Sequence, residues 1–189
     1  MKFNVEASNP MLVGAMNLLR DEDSPEHRQL FTQELAKAQL LSPVYVNPAP
    51  TVNEEGNTVV EPGAKVQFPM INTKDGKKLF VLYTDKKCLD EAEKTENNAT
   101  PEMFRDNFAQ VSIDEIGSMM AMPGPNGETH PSDGVILNPF HESLIVGRDM
   151  AIGFFNRKLQ FMKEQAEKAK QEQEDGGKVI QFPVRPTQG

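Results

Sequence analysis

Few side chains in this sequence suit nucleophilic or metal chemistry. They are Cys88 and three histidines, His27, His130 and His141. A thiol becomes a nucleophile when nearby cations or a helix N-terminus lower its pKa. Lys86-Lys87 stand directly before Cys88, in what reads as the first turn of a helix capped by Asp85, and that setting predicts a lowered thiol pKa. Leu89 and Ala92, however, place Cys88 on or beside an apolar face, where cysteine packs as a small hydrophobe. His-x3-His, Cys-x2-Cys and His-Glu-x-x-His spacings are absent from the sequence, so no metal and no cofactor is expected.

Other constellations fail for identifiable reasons. Gly117-Ser118-Met119-Met120 lacks the second glycine of a nucleophile elbow. Met122–Gly127 is rich in glycine but lacks a Gly-Lys-Ser/Thr end, and its prolines remove amide donors that a phosphate cradle needs. The carboxylate pairs Glu54-Glu55, Asp90-Glu91 and Asp114-Glu115 lie in polar surroundings and read as solvated faces. Ten methionines are many for this length, and Met119, Met120 and Met122 cluster beside a Gly/Pro loop. Methionine suits adaptable binding surfaces. The competing reading is core filling, since one short helix always buries a side.

The sequence has 189 residues, enough for one domain with appendages. Apolar residues make up 38%, below the ~45–50% usual for globular domains, so part of the chain is expected to be solvated. The deficit concentrates in Thr51–Gly63, Glu91–Pro101 and Lys163–Lys178. A net charge of −8 without a Lys/Arg cluster argues against nucleic acid and against anionic membranes. A single cysteine fits a reducing, cytoplasmic setting. The apolar stretch Pro10–Leu19 runs straight into Arg20-Asp21-Glu22-Asp23 and has no small-residue cleavage site, so it is not read as a signal peptide. No apolar run reaches the length of a membrane span.

The elements that must position these residues centre on Ala64–Thr84. Two apolar runs, Val66–Ile71 and Leu79–Tyr83, flank Lys74-Asp75-Gly76-Lys77, which predicts a hairpin with φ > 0 at Gly76. The second run is apolar almost throughout and is expected to be buried on both faces. Ser8-Asn9-Pro10 and Ser24-Pro25 open two N-terminal helices. Ser42–Val46 reads as a short strand with Pro43 at its entry, and Asn47–Gly63, with three prolines, as a long loop. A helix follows Asp85, and another is expected from Thr100-Pro101 with Phe104 and Phe108 on one face. Gln110–Ile113 reads as a strand, Asp114–Met120 as a helix and Met122–Ser132 as a loop. Gly134–Leu137 reads as a buried strand, Asn138–His141 as a turn with Asn138 bonding its own backbone, and Ser143–Val146 as the return strand. Asp149–Asp175 is the longest helical pattern. Its stripe Ile152, Phe155, Leu159, Met162 is expected to dock on the sheet domain or on a second copy, and its alanine-rich half to be held by charge pairs such as Glu164–Lys168. Lys178–Val184 reads as a last strand, echoing Val66–Met70.

These residues in this order resemble a known family. Gln67-Phe68-Pro69, Asp75-Gly76, the run ending Tyr83-Thr84-Asp85, and Gly134-Val135-Ile136-Leu137-Asn138-Pro139-Phe140 are similar to the N-terminal domain family of the enhanced serine sensitivity protein, SseB, over roughly Leu30 to Phe154. The resemblance implies a bacterial α/β or α+β domain without a settled biochemical activity. Longer members carry a second domain whose role does not transfer to the final helix.

The expected fold is α/β, or α+β-like: a mixed sheet of about five strands built on the central hairpin, flanked by helices, with a long C-terminal helix. The expected organisation is an SseB-like domain over residues 1–147, with residues 148–189 as helix and tail. The expected function is a non-catalytic cytoplasmic interaction or regulatory module, binding another protein or self-associating through the C-terminal helix. Met119, Met120 and Met122 would form its partner surface. The alternative is a sensor for an amino acid or metabolite, with its site at Tyr83, Thr84, Asp85, Asn138, Phe140 and His141, where hydroxyl, amide and imidazole groups converge. A third reading is an enzyme using Cys88 or His141.

Overall fold

Lys74, Asp75 and Gly76 reverse the chain in the expected way: Gly76 takes φ 82°, its N–H donates to the Thr73 carbonyl at 2.9 Å, and Thr73 N–H donates to the Lys77 carbonyl at 2.8 Å. This is a type I turn closed by a left-handed glycine. The same design recurs at Asn53–Asn57, where Gly56 takes φ 81°. That second turn folds part of the presumed Asn47–Gly63 loop into a small ribbon. The computed structural model describes residues 1–94, 102–123, 127–140 and 143–176, with side chains up to residue 170. The expected strand at Lys178–Val184 and the helix start at Thr100-Pro101 lie outside the described residues.

The described elements are β1 (Lys2–Phe3), α1 (Pro10–Asp21), α2 (Pro25–Lys37), β2 (Leu40–Asn47), β3 (Thr51–Val52), β4 (Thr58–Val59), β5 (Lys65–Gln67), β6 (Met70–Asn72), β7 (Lys78–Leu82), α3 (Lys86–Glu93), β8 (Asn107–Val111), α4 (Ile113–Ala121), β9 (Gly134–Leu137), β10 (Leu144–Gly147) and α5 (Arg148–Gly176). The mixed α/β class holds. The strands divide between two four-stranded sheets, β1-β8-β2-β5 and β10-β9-β7-β6, with β3-β4 apart as the ribbon. The pair β7/β9 is parallel and the others are antiparallel. None of the described helices is long and apolar enough to cross a membrane.

Pro69 divides the sheets. A single strand was expected over Val66–Ile71, but β5 pairs with β2 while β6 pairs with β7. Pro69 has no N–H to give a ladder, and the chain changes partner there. The two sheets still meet: Leu41 and Tyr83 exchange N–H and C=O at 2.8 and 2.7 Å. Pro43 lies inside β2 rather than at its entry. Backbone groups alternate along a strand, so Pro43 presents its missing N–H to the edge that Leu41 gives to Tyr83 and Tyr45 to Gln67. Between those two partners no donor is needed.

Two other expectations shift. Glu102–Phe104 is a single 3-10 turn, and Phe108 sits in β8 rather than on a helix with Phe104. β8 ends earlier than the expected strand because Ser112 begins α4, its N–H bonded to Glu115 Oε2 at 2.8 Å. β7 is buried on both faces, as expected. Phe80 and Leu82 face one core with Val135 and Leu137, α1, α2, α4 and the start of α5. Leu79, Val81 and Tyr83 face a second core with Ile136 and, from α3, Leu89 and Ala92.

The chain divides into two compact units, Met1–Phe155 and Asn156–Gly189. In the first, Ala151 and Phe154 are buried, and Ile152 and Phe155 are half-buried. In the second, every side chain from Asn156 to Lys170 is exposed, Leu159 and Met162 at 39% and 57%. Along the stripe, Ile152 and Phe155 are half-buried, whereas Leu159 and Met162 are exposed in the single chain. An apolar spacing names a helix face but not where its cover stops. Glu164 accepts from Gln160 Nε2 at 3.0 Å, within a single turn.

Two glycines are required for different reasons. A Cβ on Gly76 would meet open space, so only its φ is at stake, whereas a Cβ on Gly117 would lie 2.1 Å from the Ala151 carbonyl oxygen. Gly76→Val should cost about 1–2 kcal/mol through the left-handed backbone. Gly117→Ala should cost about 1–3 kcal/mol because α4 and the first turn of α5 must separate. Urea midpoints of both variants measure this, and an unchanged midpoint for Gly76→Val would disprove the turn.

Candidate functional site

Of the residues singled out from sequence, Tyr83, Thr84, Asp85 and Asn138 come together, at the point where β7 ends and α3 begins. Thr84 N–H donates to Asn138 Oδ1 at 2.9 Å, and Asn138 Nδ2 donates to Thr84 Oγ1 at 3.0 Å. Asn138 N–H donates to the Leu82 carbonyl at 2.8 Å. Asn9 Nδ2 donates to the carbonyls of Thr84 and Gln39, both at 2.7 Å. Asp85 caps α3 by accepting from Cys88 N–H at 2.8 Å. Tyr83, Thr84 and Asn138 are buried.

Asn138 thus bonds a residue 54 positions away and, among the described residues, none of its own turn. It takes φ 48°, a conformation asparagine tolerates. The amide is aimed across the sheet at a buried Thr84 N–H that has no strand neighbour there. Sequence reasoning missed Asn9: it stands at the N-cap of α1 but makes no side-chain cap bond, and Asn-Pro carries no signal for a long-range role. Phe140 is 39% exposed at φ 71°. His141 lies outside the described residues.

The expected lowering of the Cys88 pKa is corrected. Burial pushes the thiol up, against a smaller opposing effect of the Thr84 hydroxyl, and the Asp85 and Glu91 carboxylates raise it further. The neighbouring cations are directed elsewhere: Lys86 pairs with Asp90, and Lys87 lies 3.9 Å from Glu91. A thiol so placed is a poor nucleophile.

A second feature is a cleft of about 730 Å³ beside the β5–β6 break. Phe80 lies at its base, with Phe68 edge-on at 6.1 Å and His130 stacked at 5.2 Å and 21°. Met70, Phe104, Met119 and Met122 add apolar walls. The methionine cluster divides by helical geometry: Met119 and Met122, three apart, line the cleft, whereas Met120 is fully buried in the core. The core-filling reading describes Met120.

The rim is held by one guanidinium. Arg148 donates to the carbonyls of His130 at 2.9 Å, Ser132 at 2.6 Å and Met120 at 2.5 Å, so it fastens the 130–132 loop to the last turn of α4. His130 Nδ1 accepts from Ser132 N–H at 3.3 Å. Burial, and secondarily the Arg148 charge, hold its pKa below the usual imidazole range, which keeps the ring neutral against Phe80. His130 stood out in the sequence only as a possible metal ligand, and Arg148 did not stand out at all. The available signals were the Phe68-Pro69 break and the methionines beside a Gly/Pro loop.

Residues 12–149 match the family model described as the SseB protein N-terminal domain, and the chain belongs to that family. The match takes in most of α1, extending further toward the N-terminus than the resemblance suggested. It contains Thr84 and Asn138, but not Asn9, and the cleft lining from Val66 to Pro131. No curated protein and no solved structure matches the chain.

Asn138→Ala should cost about 1–3 kcal/mol, since the buried Thr84 N–H loses its acceptor. Urea unfolding measures it, and a loss below a few tenths of a kcal/mol would mean Thr84 finds another partner. His130 gives a pH signature. Its folded pKa is depressed, so its contribution is complete above the unfolded value of about 6.5 and is lost as pH falls through the lower folded value. His130→Asn should flatten that acid limb of stability below about pH 6.5 relative to the parent; parallel limbs would exclude His130 as its source.

Proposed function

We propose that this SseB-family domain is a non-catalytic cytoplasmic interaction module whose Met/Phe cleft takes apolar side chains of another protein. The observation that carries the reading is the cleft itself. Its walls combine aromatic anchors, which dominate binding energy at interfaces, with methionines, which adapt to varied partners. The raised Cys88 pKa weighs against a thiol nucleophile. At the Thr84 node, hydroxyl, amide and backbone groups satisfy one another, which weighs against a ligand site there.

The volume of the cleft supports a second reading. About 730 Å³ lies within the range of small-molecule pockets, and His130, Thr129 and Glu128 supply a few polar groups. A small apolar or aromatic metabolite would use the same walls, which moves the sensing alternative from Thr84 and Asn138 to this cleft.

Affinity purification of the tagged protein from its own host, with mass spectrometry of proteins and metabolites, tests both. The comparison is a Met119→Lys, Met122→Lys double variant, which places two cations in the cleft at positions outside the fully buried core. The variant should keep the parent's melting temperature and lose a protein that the parent recovers. Loss of a metabolite alone would favour sensing, and identical recoveries would overturn the cleft as the site.

A further inference from the structure

We infer that the partner enters as an extended strand, added to the open edge of the β5–β6 segment, with every second side chain lowered into the cleft. This rests on the interaction reading above and specifies the partner's chemistry.

The edge follows from register. β5 is the last strand of its sheet and β6 the last of the other. Backbone N–H and C=O groups alternate from one edge of a strand to the other. Thr73 bonds Lys77 to close the hairpin, and both backbone groups of Lys78 are engaged on the opposite side by Asp133. Asn72, opposite Lys78, therefore faces outward, and so does Met70, while Ile71 faces β7. In β2, Leu41 spends its backbone on Tyr83, so Tyr45 and Asn47 address the same edge and pair with Gln67 and Lys65. Val66 then faces outward as well. Among the described residues, the backbone groups of Val66, Met70 and Asn72 have no hydrogen-bond partner. Met70 and Asn72 are exposed.

Soluble proteins blunt open edges with proline, charge or a cover. Pro69 does not serve here. Its missing N–H lies on the inner edge, between β2 and β7, and leaves the outer edge able to pair. The side chains of Val66, Phe68 and Met70 line the cleft. A strand laid along this edge makes main-chain bonds and sets alternate side chains over Phe68 and Phe80. Strand addition combines these two kinds of contact: the main chain gives affinity, and pockets for alternate side chains give specificity. The occupant is thus an extended peptide with Leu, Ile, Val, Met or Phe at every second position. An amphipathic helix would fill the cleft but leave the edge donors and acceptors unused.

A random linear-peptide library displayed on phage, selected on the full chain, tests this. Enriched sequences should carry apolar residues two apart. The best free peptide should lose about tenfold or more in Kd when its edge-facing amides are N-methylated, and it should lose affinity for an Asn72→Pro variant, since proline is tolerated on an outer edge. Should that variant be unstable, the N-methylated peptides decide alone. Apolar spacings of three and four, or an N-methylated peptide that binds as well as its parent, would overturn strand addition. If such peptides still fail to bind the Met119→Lys, Met122→Lys variant, the cleft reading stands. Binding indifferent to that variant would remove both. A selection that enriches nothing also overturns the strand, and the host recoveries then judge the cleft by themselves.

Discussion

Thr84 is the residue on which the architecture turns. It follows the central strand, it is fully buried, and it has no strand neighbour to satisfy it. A buried N–H without an acceptor costs about 1–3 kcal/mol, so something must reach it. Both of its backbone groups are reached from elements distant in sequence: the N–H donates to Asn138 at the end of β9, and the carbonyl accepts from Asn9 at the start of α1. One residue earlier, Tyr83 joins β7 to β2, and one residue later, Asp85 caps α3. Five elements are thereby located by the polar requirements of three consecutive residues. A satisfied buried network of this kind specifies one arrangement, because every alternative strands a donor.

With that node fixed, the other decisive residue is Pro69. The strand that contains it lies against β2 first and β7 second, and the proline sits where the partners change. The result is a bend that separates the two sheets on one side and opens the cleft beside Phe68 and Phe80. β5 and β6, on either side of it, are the edge strands of their sheets among the described residues.

Local chemistry made much of this legible in the sequence. Ser24-Pro25, Asp85 and the Lys74–Lys77 turn act on their own neighbours, and the structure uses them as their types suggest. The buried runs at Leu79–Leu82 and Gly134–Leu137 announce central strands by composition alone. What was not legible depends on partners far along the chain. Asn138 looks like any turn asparagine, and only the fold brings a needy N–H opposite it. Cys88 looks activated by two lysines, yet both lysines have carboxylates closer at hand and the thiol is half-buried. The methionines promised either core or surface, and a single helical step separates Met119 from Met120. Periodicity shows which residues share a face. It does not show what lies opposite.

The beginning of α5 ties these themes together. Arg148 spends its charge on three carbonyls, those of His130, Ser132 and Met120, and so joins the cleft rim to the end of α4. One turn later, the Ala151 carbonyl lies against Gly117, so close that only glycine fits in α4. Phe154 then enters the core. Two of these contacts, at Arg148 and Ala151, hold the start of α5 against α4, whose Met119 lines the cleft with Met122 and Phe80. His130 fits the same logic. It stacks on Phe80, and burial first, with the nearby guanidinium second, disfavours its protonation. The residues that anchor this helix are those that shape the cleft wall, so a substitution meant to loosen the one would also deform the other.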